Sequence, residues 1–398
     1  MKILFKYATV ALLLAGAAAC SQPSKRASII DENIAVAEKQ IGMLADSSET
    51  GGVIRIPSTW KNGRIDYVPV DDWVSGFFAG TLWYMYELTG DEAWAARARK
   101  HTEILDSVQY LQWHHDVGFM VYDSYGNGLR LKNIPGYEDV IVQTAKSLAT
   151  RFRPVPGVIQ SWDADRGWQC PVIIDNMMNL ELMFKATEFS GDSTYYNLAV
   201  KHADRTMKEH FRDDYSCYHV VDYDLTTGDV RGRCTAQGYA DDSAWARGQA
   251  WAVYGYTACY RYTGDKRYLD HARKVAGFML GDKNMPADLV PYWDYDAPNI
   301  PNEPRDVSTA AIIASAFYEM YTYTGDGLYK QKADRIVESL SSPAYRAPVG
   351  GNGGFLLMHS VGSIPHGSNI DVPLNYADYY FLEALIRKGR VEAGEPLF

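Results

Sequence analysis

Tyr262-Thr-Gly-Asp265, followed by Tyr268 and Ala272, is one of four versions of a single phrase in this chain of 398 residues. Leu88-Thr-Gly-Asp91 leads to Trp94 and Ala98, Phe189-Ser-Gly-Asp192 to Tyr195 and Ala199, and Tyr323-Thr-Gly-Asp326 to Tyr329 and Ala333. Each version closes one apolar helical pattern and opens the next. The Gly suits the left-handed residue that ends a helix, and the Asp suits the N-cap that starts one. The phrase therefore spells a helix hairpin, and its recurrence is the mark of stacked helical units. The longest interval, Gly90 to Gly191, has room for one more hairpin. Tyr125-Gly-Asn-Gly128, followed by a helical Tyr137 to Arg153, supplies a degenerate one.

Working outward, helical patterns cover 31–46, 73–88, 92–108, 138–152, 174–189, 193–211, 245–262, 266–281, 306–323, 327–341 and 374–388. In the first, Ile34, Ala37, Ile41 and Leu44 keep helical spacing. A poorly formed segment near Phe119–Leu129 completes twelve, and six hairpins closing into a ring give an all-α (α/α)6 barrel over 29–390, with 391–398 as a tail. Long loops are expected at one end: 47–72, 109–136, 153–173, 212–244, 282–305 and 342–373. Loops of that length in a compact domain usually carry function. An open solenoid is the alternative architecture. Gly76 and Gly80, four apart, predict close packing of the second helix.

Lys2 and Lys6, the apolar run Ala8 to Ala19 and Ala17-Ala18-Ala19-Cys20 resemble a bacterial lipoprotein signal over 1–20, with Cys20 lipidated. Residues 21–28 then form a tether, and the protein is expected to be exported, periplasmic or at the cell surface, touching membrane only through that anchor. The net charge of −10 disfavours nucleic acid and anionic membranes as partners. Ten Trp and twenty-nine Tyr suit carbohydrate binding. Cys170, Cys217, Cys234 and Cys259 contain no CxxC pair, so no metal and no cofactor is expected.

Several residues could carry chemistry. In Gln237-Gly-Tyr-Ala-Asp-Asp-Ser-Ala-Trp-Ala-Arg-Gly-Gln-Ala-Trp251, Arg247 and Trp251 share a helix face, a cation beside a flat plate. Such a pair suits a sugar acid, although a core helix with a snorkelling Arg has the same pattern. Trp73 marks a helix start and is either a sugar platform or an anchor. Asp116, in His114-His115-Asp-Val-Gly118, is either a turn residue or a loop carboxylate with His115 beside it. Asp175 fits an N-cap, but Asn176 is a second cap candidate and would leave Asp175 to face a cavity. A helix N-terminus lowers a carboxyl pKa, and a second carboxylate raises it. Trp162 and His219 stand on two further loops.

Together these stretches resemble the glycoside hydrolase family 88 unsaturated glucuronyl hydrolases. The matching pieces are Trp73-x-x-Gly-Phe77, His115-Asp-x-Gly-Phe119, Ser161-Trp162, Ile174-Asp-Asn-Met-Met-Asn-Leu180, Gln237 to Trp251 and Asp371-Val-Pro-Leu-x-Tyr-Ala-Asp-Tyr-Tyr-Phe381. The resemblance implies an (α/α)6 barrel that removes a Δ4,5-unsaturated uronic acid from the non-reducing end of lyase-made oligosaccharides of glycosaminoglycan type. Residue by residue, Asp175 resembles the acid/base and Asp116 its carboxylate partner. Trp73, Trp162 and Trp251 resemble ring-stacking walls. His219, Gln237 and Arg247 are similar to the uronate contacts, with Arg233 and Thr235 as further candidates. The implied reaction is vinyl-ether hydration, in which Asp175 protonates C4 and then helps water attack C5. In His359 to Asn369, where family members meet the next sugar, Ser363 and Ser368 are available but no Lys is. That argues against a preference for 6-sulfated substrates, with Arg233 left as an alternative sulfate contact.

Three rival readings remain: an unsaturated galacturonyl-rhamnose hydrolase acting on pectin fragments, a non-catalytic glycan-binding lipoprotein and a sugar epimerase of similar fold. Paired His115-Asp116 favours the glucuronyl reading over the first. Two carboxylates facing an anionic ligand argue against the second, and the paired His residues of the third are missing.

Overall fold

The computed structural model describes residues 28–164 and 167–398. The expected signal, the lipidation site Cys20 and the tether up to residue 27 lie outside the described residues.

The repeated phrase does what its chemistry dictates. Gly90, Gly191, Gly264 and Gly325 all take left-handed φ, from 66° to 71°, as C-caps. Each following Asp caps the next helix through its side chain: Asp91 to Ala93 N (2.9 Å), Asp192 to Thr194 N (2.8 Å), Asp265 to Arg267 N (2.9 Å) and Asp326 to Leu328 N (3.0 Å). Four hairpins follow: α2 (Ser75–Thr89) with α3 (Glu92–Glu103), α7 (Leu180–Ser190) with α8 (Ser193–Glu209), α9 (Ala246–Thr263) with α10 (Lys266–Gly281), and α11 (Val307–Thr324) with α12 (Gly327–Leu340).

The degenerate hairpin is a broken helix, α4 (Val117–Val121) and α5 (Asn127–Lys132) joined by a π-helical turn at Tyr122–Gly126, paired with α6 (Tyr137–Ala149). The poorly formed helical segment expected near Phe119–Leu129 is therefore present, running from Val117 to Lys132, so much of the span 109–136 is helix rather than loop. With α1 (Ile29–Ser48) and α13 (Asn375–Ala393), twelve helical units among the described residues form the toroid. In the inner ring α2 packs on α4 and α5, α4 on α7, α7 on α9, α9 on α11, α11 on α13 and α13 back on α2. The ring is closed, which excludes the open solenoid. A Cβ on Gly76 would stand 2.3 Å from Met120 O, and one on Gly80 2.4 Å from the Tyr379 ring, so the predicted close packing holds. Helix α13 runs past residue 390, and the Arg390 guanidinium donates to Leu397 O (2.7 Å), so the tail begins later than expected and docks on the barrel.

The long loops contain short antiparallel strands that helical periodicity could not reveal. They are β1 (Ile56–Lys61) with β2 (Arg64–Val68), β3 (Phe152–Arg153) with β4 (Val158–Ile159), a sheet ordered β5 (Pro171–Ile173), β6 (Val220–Tyr223), β7 (Val230–Cys234), and β8 (Ser360–Ser363) with β9 (Ser368–Val372). The Asp175 turn follows β5 directly, and His219 immediately precedes β6.

Candidate functional site

Asp116 and Asp175, far apart in sequence, are close enough that Asp175 feels the Asp116 charge. Their elements interlock through Gly118 and Asn179: a Cβ on Gly118 would lie 2.6 Å from Asn179 Cα, and Asn179 Oδ1 accepts from Phe119 N (3.1 Å). Gly118→Ala should therefore wedge the two acids apart. We expect a stability loss of about 1–3 kcal/mol and a fall in turnover. Urea denaturation and a turnover assay check this, and a variant matching wild type in both would show that the approach has no role.

Asp175 lies in the 3-10 turn Ile174–Asn179, and neither predicted cap role applies. Asn176 Nδ2 donates to Ile159 O (2.7 Å), and Ile174 N is satisfied by His219 O (3.1 Å). The Asp175 carboxyl is left facing the site, only 6% of the residue being exposed. Burial, with the Asp116 charge adding to it against the opposing pull of Arg247, raises its pKa to about 7. Asp116 goes the other way. Burial would raise its carboxyl, but His115, His114 and Asn179 outweigh burial and hold it below its ordinary value. His115 Nε2 is 3.2 Å from Asp116 Oδ1, and His114 Nδ1 is 3.6 Å from Oδ2. Two neighbouring carboxyls driven apart in this way are the signature of one proton donor beside one permanent anion.

His219 is wired as a neutral donor. Its Nδ1 accepts from the backbone N–H of Ala236 (2.9 Å) and Gln237 (3.1 Å), so its single proton sits on Nε2. Nε2 stands 3.7 Å from Asp175 Oδ2. Burial, helped by Arg247, pushes the His219 pKa down to about 3, so it carries no charge at neutral pH. Neither His219 Nε2 nor Asp175 Oδ2 nor the Trp251 indole N–H completes a hydrogen bond of good geometry. Three buried polar groups converge here with capacity to spare.

Other expected contacts are placed differently. Trp251 is fully buried, packed on Phe119 (5.2 Å) and Tyr380 (5.6 Å), so it is no open plate and offers only its N–H. Arg247 is no open clamp. Nη1 donates to Asp306 Oδ2 (3.1 Å) and Val361 O (2.5 Å), and Nη2 to Gln237 Oε1 (2.8 Å) and Gly362 O (2.7 Å). Its guanidinium also lies over the Trp245 ring at 4.5 Å. Only Nε is buried without a partner. Sequence spacing put Arg247 and Trp251 on one face correctly, but it could not show that packing consumes that face. His115 is likewise buried behind Asp116 rather than presented to a ligand.

Arg233 is not brought to the site: it pairs with Glu209 (2.8 Å) at the end of α8. Thr235 shapes the turn, its Oγ1 accepting from Gly238 N (2.7 Å). Ser363 is buried and bonded to His366 Nδ1 (2.7 Å), while Ser368, its partner across β8–β9, is exposed. Trp162 is half-buried, bridged to His114 and packed near Trp168 (5.8 Å). Trp73 leans on Tyr376 (5.0 Å) and Phe119 (5.7 Å) and lines a cavity of about 310 Å³ with Trp113, His114, Asp116 and Asp72. Trp113, half exposed and edge-on to His114 (4.2 Å), was missed, although it sits one residue before the His pair. Asp306 was missed for a stronger reason: as a helix N-cap it looks ordinary in sequence.

No family model matches the chain. It is 48% identical over 325 residues to the unsaturated glucuronyl hydrolase of Formosa agariphila, covering 81% of this chain and 81% of that protein. A crystal structure of an unsaturated glucuronyl hydrolase specific for heparin superposes with a TM-score of 0.89 at 44% identity, covering 92% of this chain and 98% of that one. A Streptococcus agalactiae unsaturated glucuronyl hydrolase variant, complexed with dGlcA-GalNAc6S, gives 0.76 at 29% identity, with 90% of each chain covered. With these relatives, a closed six-hairpin barrel and a split carboxyl pair at its mouth, the chain belongs to the unsaturated glucuronyl hydrolase family.

Proposed function

We propose that this glycoside hydrolase removes a Δ4,5-unsaturated uronic acid from the non-reducing end of glycosaminoglycan-derived oligosaccharides. The observation that carries the reading is the opposed carboxyl pair, Asp175 protonated near neutral pH and Asp116 ionised. A vinyl ether needs a proton on C4 before water can add to C5. Asp175 gives that proton, and positive charge develops on C5 and the ring oxygen. The Asp116 carboxylate stabilises it. Asp175, now an anion, takes a proton from the water that bonds to C5, which restores the acid. The resulting hemiketal opens and releases the next sugar. His219 Nε2–H and the Trp251 N–H point toward the same carboxyl and can hold a substrate oxygen beside it. Gln237, its Oε1 committed to Arg247, offers its amide N–H.

Heparin-type fragments are the first substrates to test, because a relative of 44% identity is heparin-specific. Ser363 is tied to His366, which fits the expectation of no 6-sulfate preference. Incubation with lyase digests of heparin, chondroitin, hyaluronan and pectin, followed by loss of the ultraviolet absorbance of the C4–C5 double bond, tests the reading. Turnover of the pectin digest alone would overturn it.

A pH profile gives a second check. Because the acid must hold its proton, kcat/KM should fall above about pH 7 as Asp175 ionises. A flat profile to pH 9 would remove Asp175 as donor. The export signal and the lipid anchor at Cys20 belong to the same proposal, supported by the basic start, the apolar run and the small residues before Cys20. Metabolic labelling with a fatty acid, lost in Cys20→Ser, is the expected result.

A further inference from the structure

Asp306 begins α11 and caps it, accepting from Ser308 N (3.1 Å). A cap needs no charge and no burial: Asp91, Asp192 and Asp326 do the same work at the surface. Asp306 is fully buried and accepts four further bonds, from Ser308 Oγ (2.6 Å), Thr309 Oγ1 (2.8 Å), Val361 N (3.3 Å) and Arg247 Nη1 (3.1 Å). Placing an anion there is costly unless it is paired, and among the described residues its one cationic partner is Arg247. The same guanidinium is held by Val361 O and Gly362 O of β8, so Asp306 and β8 grip it together.

We propose that Asp306, which touches no reacting atom, is a positioning residue for the reaction: it fixes the Arg247 guanidinium and offsets its charge before Asp175 feels that charge in full. This rests on the reading of Asp175 as proton donor. The groups facing Asp175 come from every side. Arg247 and Trp251 belong to α9, Asp116 and its neighbour His115 to the loop before α4, Cys217 and His219 to the approach to β6, and Tyr376 to α13. His366 of the β8–β9 turn faces His219. Among these, and among the described residues, Arg247 is the only fixed cation, since His219 is neutral. Its strength at Asp175 therefore depends on how far a buried anion neutralises it. Without the Asp306 charge, Arg247 would favour the ionised form of Asp175 and strip the donor of its proton at lower pH.

Asp306→Asn tests this, because Asn still caps the helix and keeps an acceptor for Arg247. The expected result is a kcat/KM profile whose alkaline limb moves down by about one pH unit, so that activity loss is up to about tenfold greater at pH 8 than at pH 5.5. Asp306→Ser, which also caps and carries no charge, reads the same limb should the Asn variant not fold. A limb in its wild-type place, with activity lowered equally at every pH or not lowered at all, overturns the proposal and leaves Asp306 a structural cap. A wild-type enzyme with no alkaline limb near pH 7 would instead remove the Asp175 assignment itself, so the two failures are distinguishable.

Discussion

Asp175→Asn should abolish release of the unsaturated sugar while the protein still binds it. The amide keeps the shape of the carboxyl and its neighbours but has no proton of the right acidity for C4. General-acid catalysis is worth about 10²–10⁴-fold, and here protonation begins the reaction, so the loss should sit toward the upper end. The same substitution should raise stability in alkaline solution. The folded protein lifts the Asp175 pKa from 3.8 to about 7, so ionised Asp175 destabilises the fold. That penalty is absent below pH 4, grows between pH 4 and 7 and is full above pH 7. The Asn variant escapes it, and its Tm advantage should follow the same curve. Absorbance at the double bond, calorimetric binding and melting at pH 5 and pH 8 check all three. An active variant, or one that melts lower at pH 8, would contradict the assignment.

Arg247→Ala should be the most disruptive single change at the mouth. It strips Asp306 of its cation, leaves Val361 O and Gly362 O without their donor and frees Gln237. Breaking a buried pair from one side costs about 3–5 kcal/mol, because the remaining charge stays buried and unpaired. Denaturant unfolding should show that loss, with the β8–β9 hairpin becoming protease-sensitive ahead of the barrel. A pure substrate clamp would behave otherwise: KM would rise with stability unchanged. The observed packing favours the structural outcome.

Much of the barrel could be read from local rules. Four Gly-Asp junctions needed only the left-handed preference of Gly and the capping power of Asp, both properties of single residues. The π turn at Tyr122–Gly126 left that stretch legible only as a poorly formed helix and hid the true hairpin connection at 133–136, because a wider turn disrupts the 3.6-residue period on which pattern recognition depends. The short strands escaped for a related reason, since two to six residues in a loop are too few to establish an alternation.

For the site, the sequence by itself determined which residue types were available and in what order: Asp116, Asp175, His219, Gln237 and Arg247 on successive loops and helix starts. It could not determine what each one touches. Burial pushes both carboxyl pKa values up. At Asp116 the adjacent His114 and His115, with Asn179, outweigh it, while at Asp175 burial and the Asp116 charge prevail over Arg247. That balance exists only when α4, the Asp175 turn and α9 are brought together. Arg247 shows the difference most plainly. Its position on the helix follows from counting residues, but its partner Asp306 is 59 residues away and its carbonyl partners more than 110, contacts that only the closed ring could bring about.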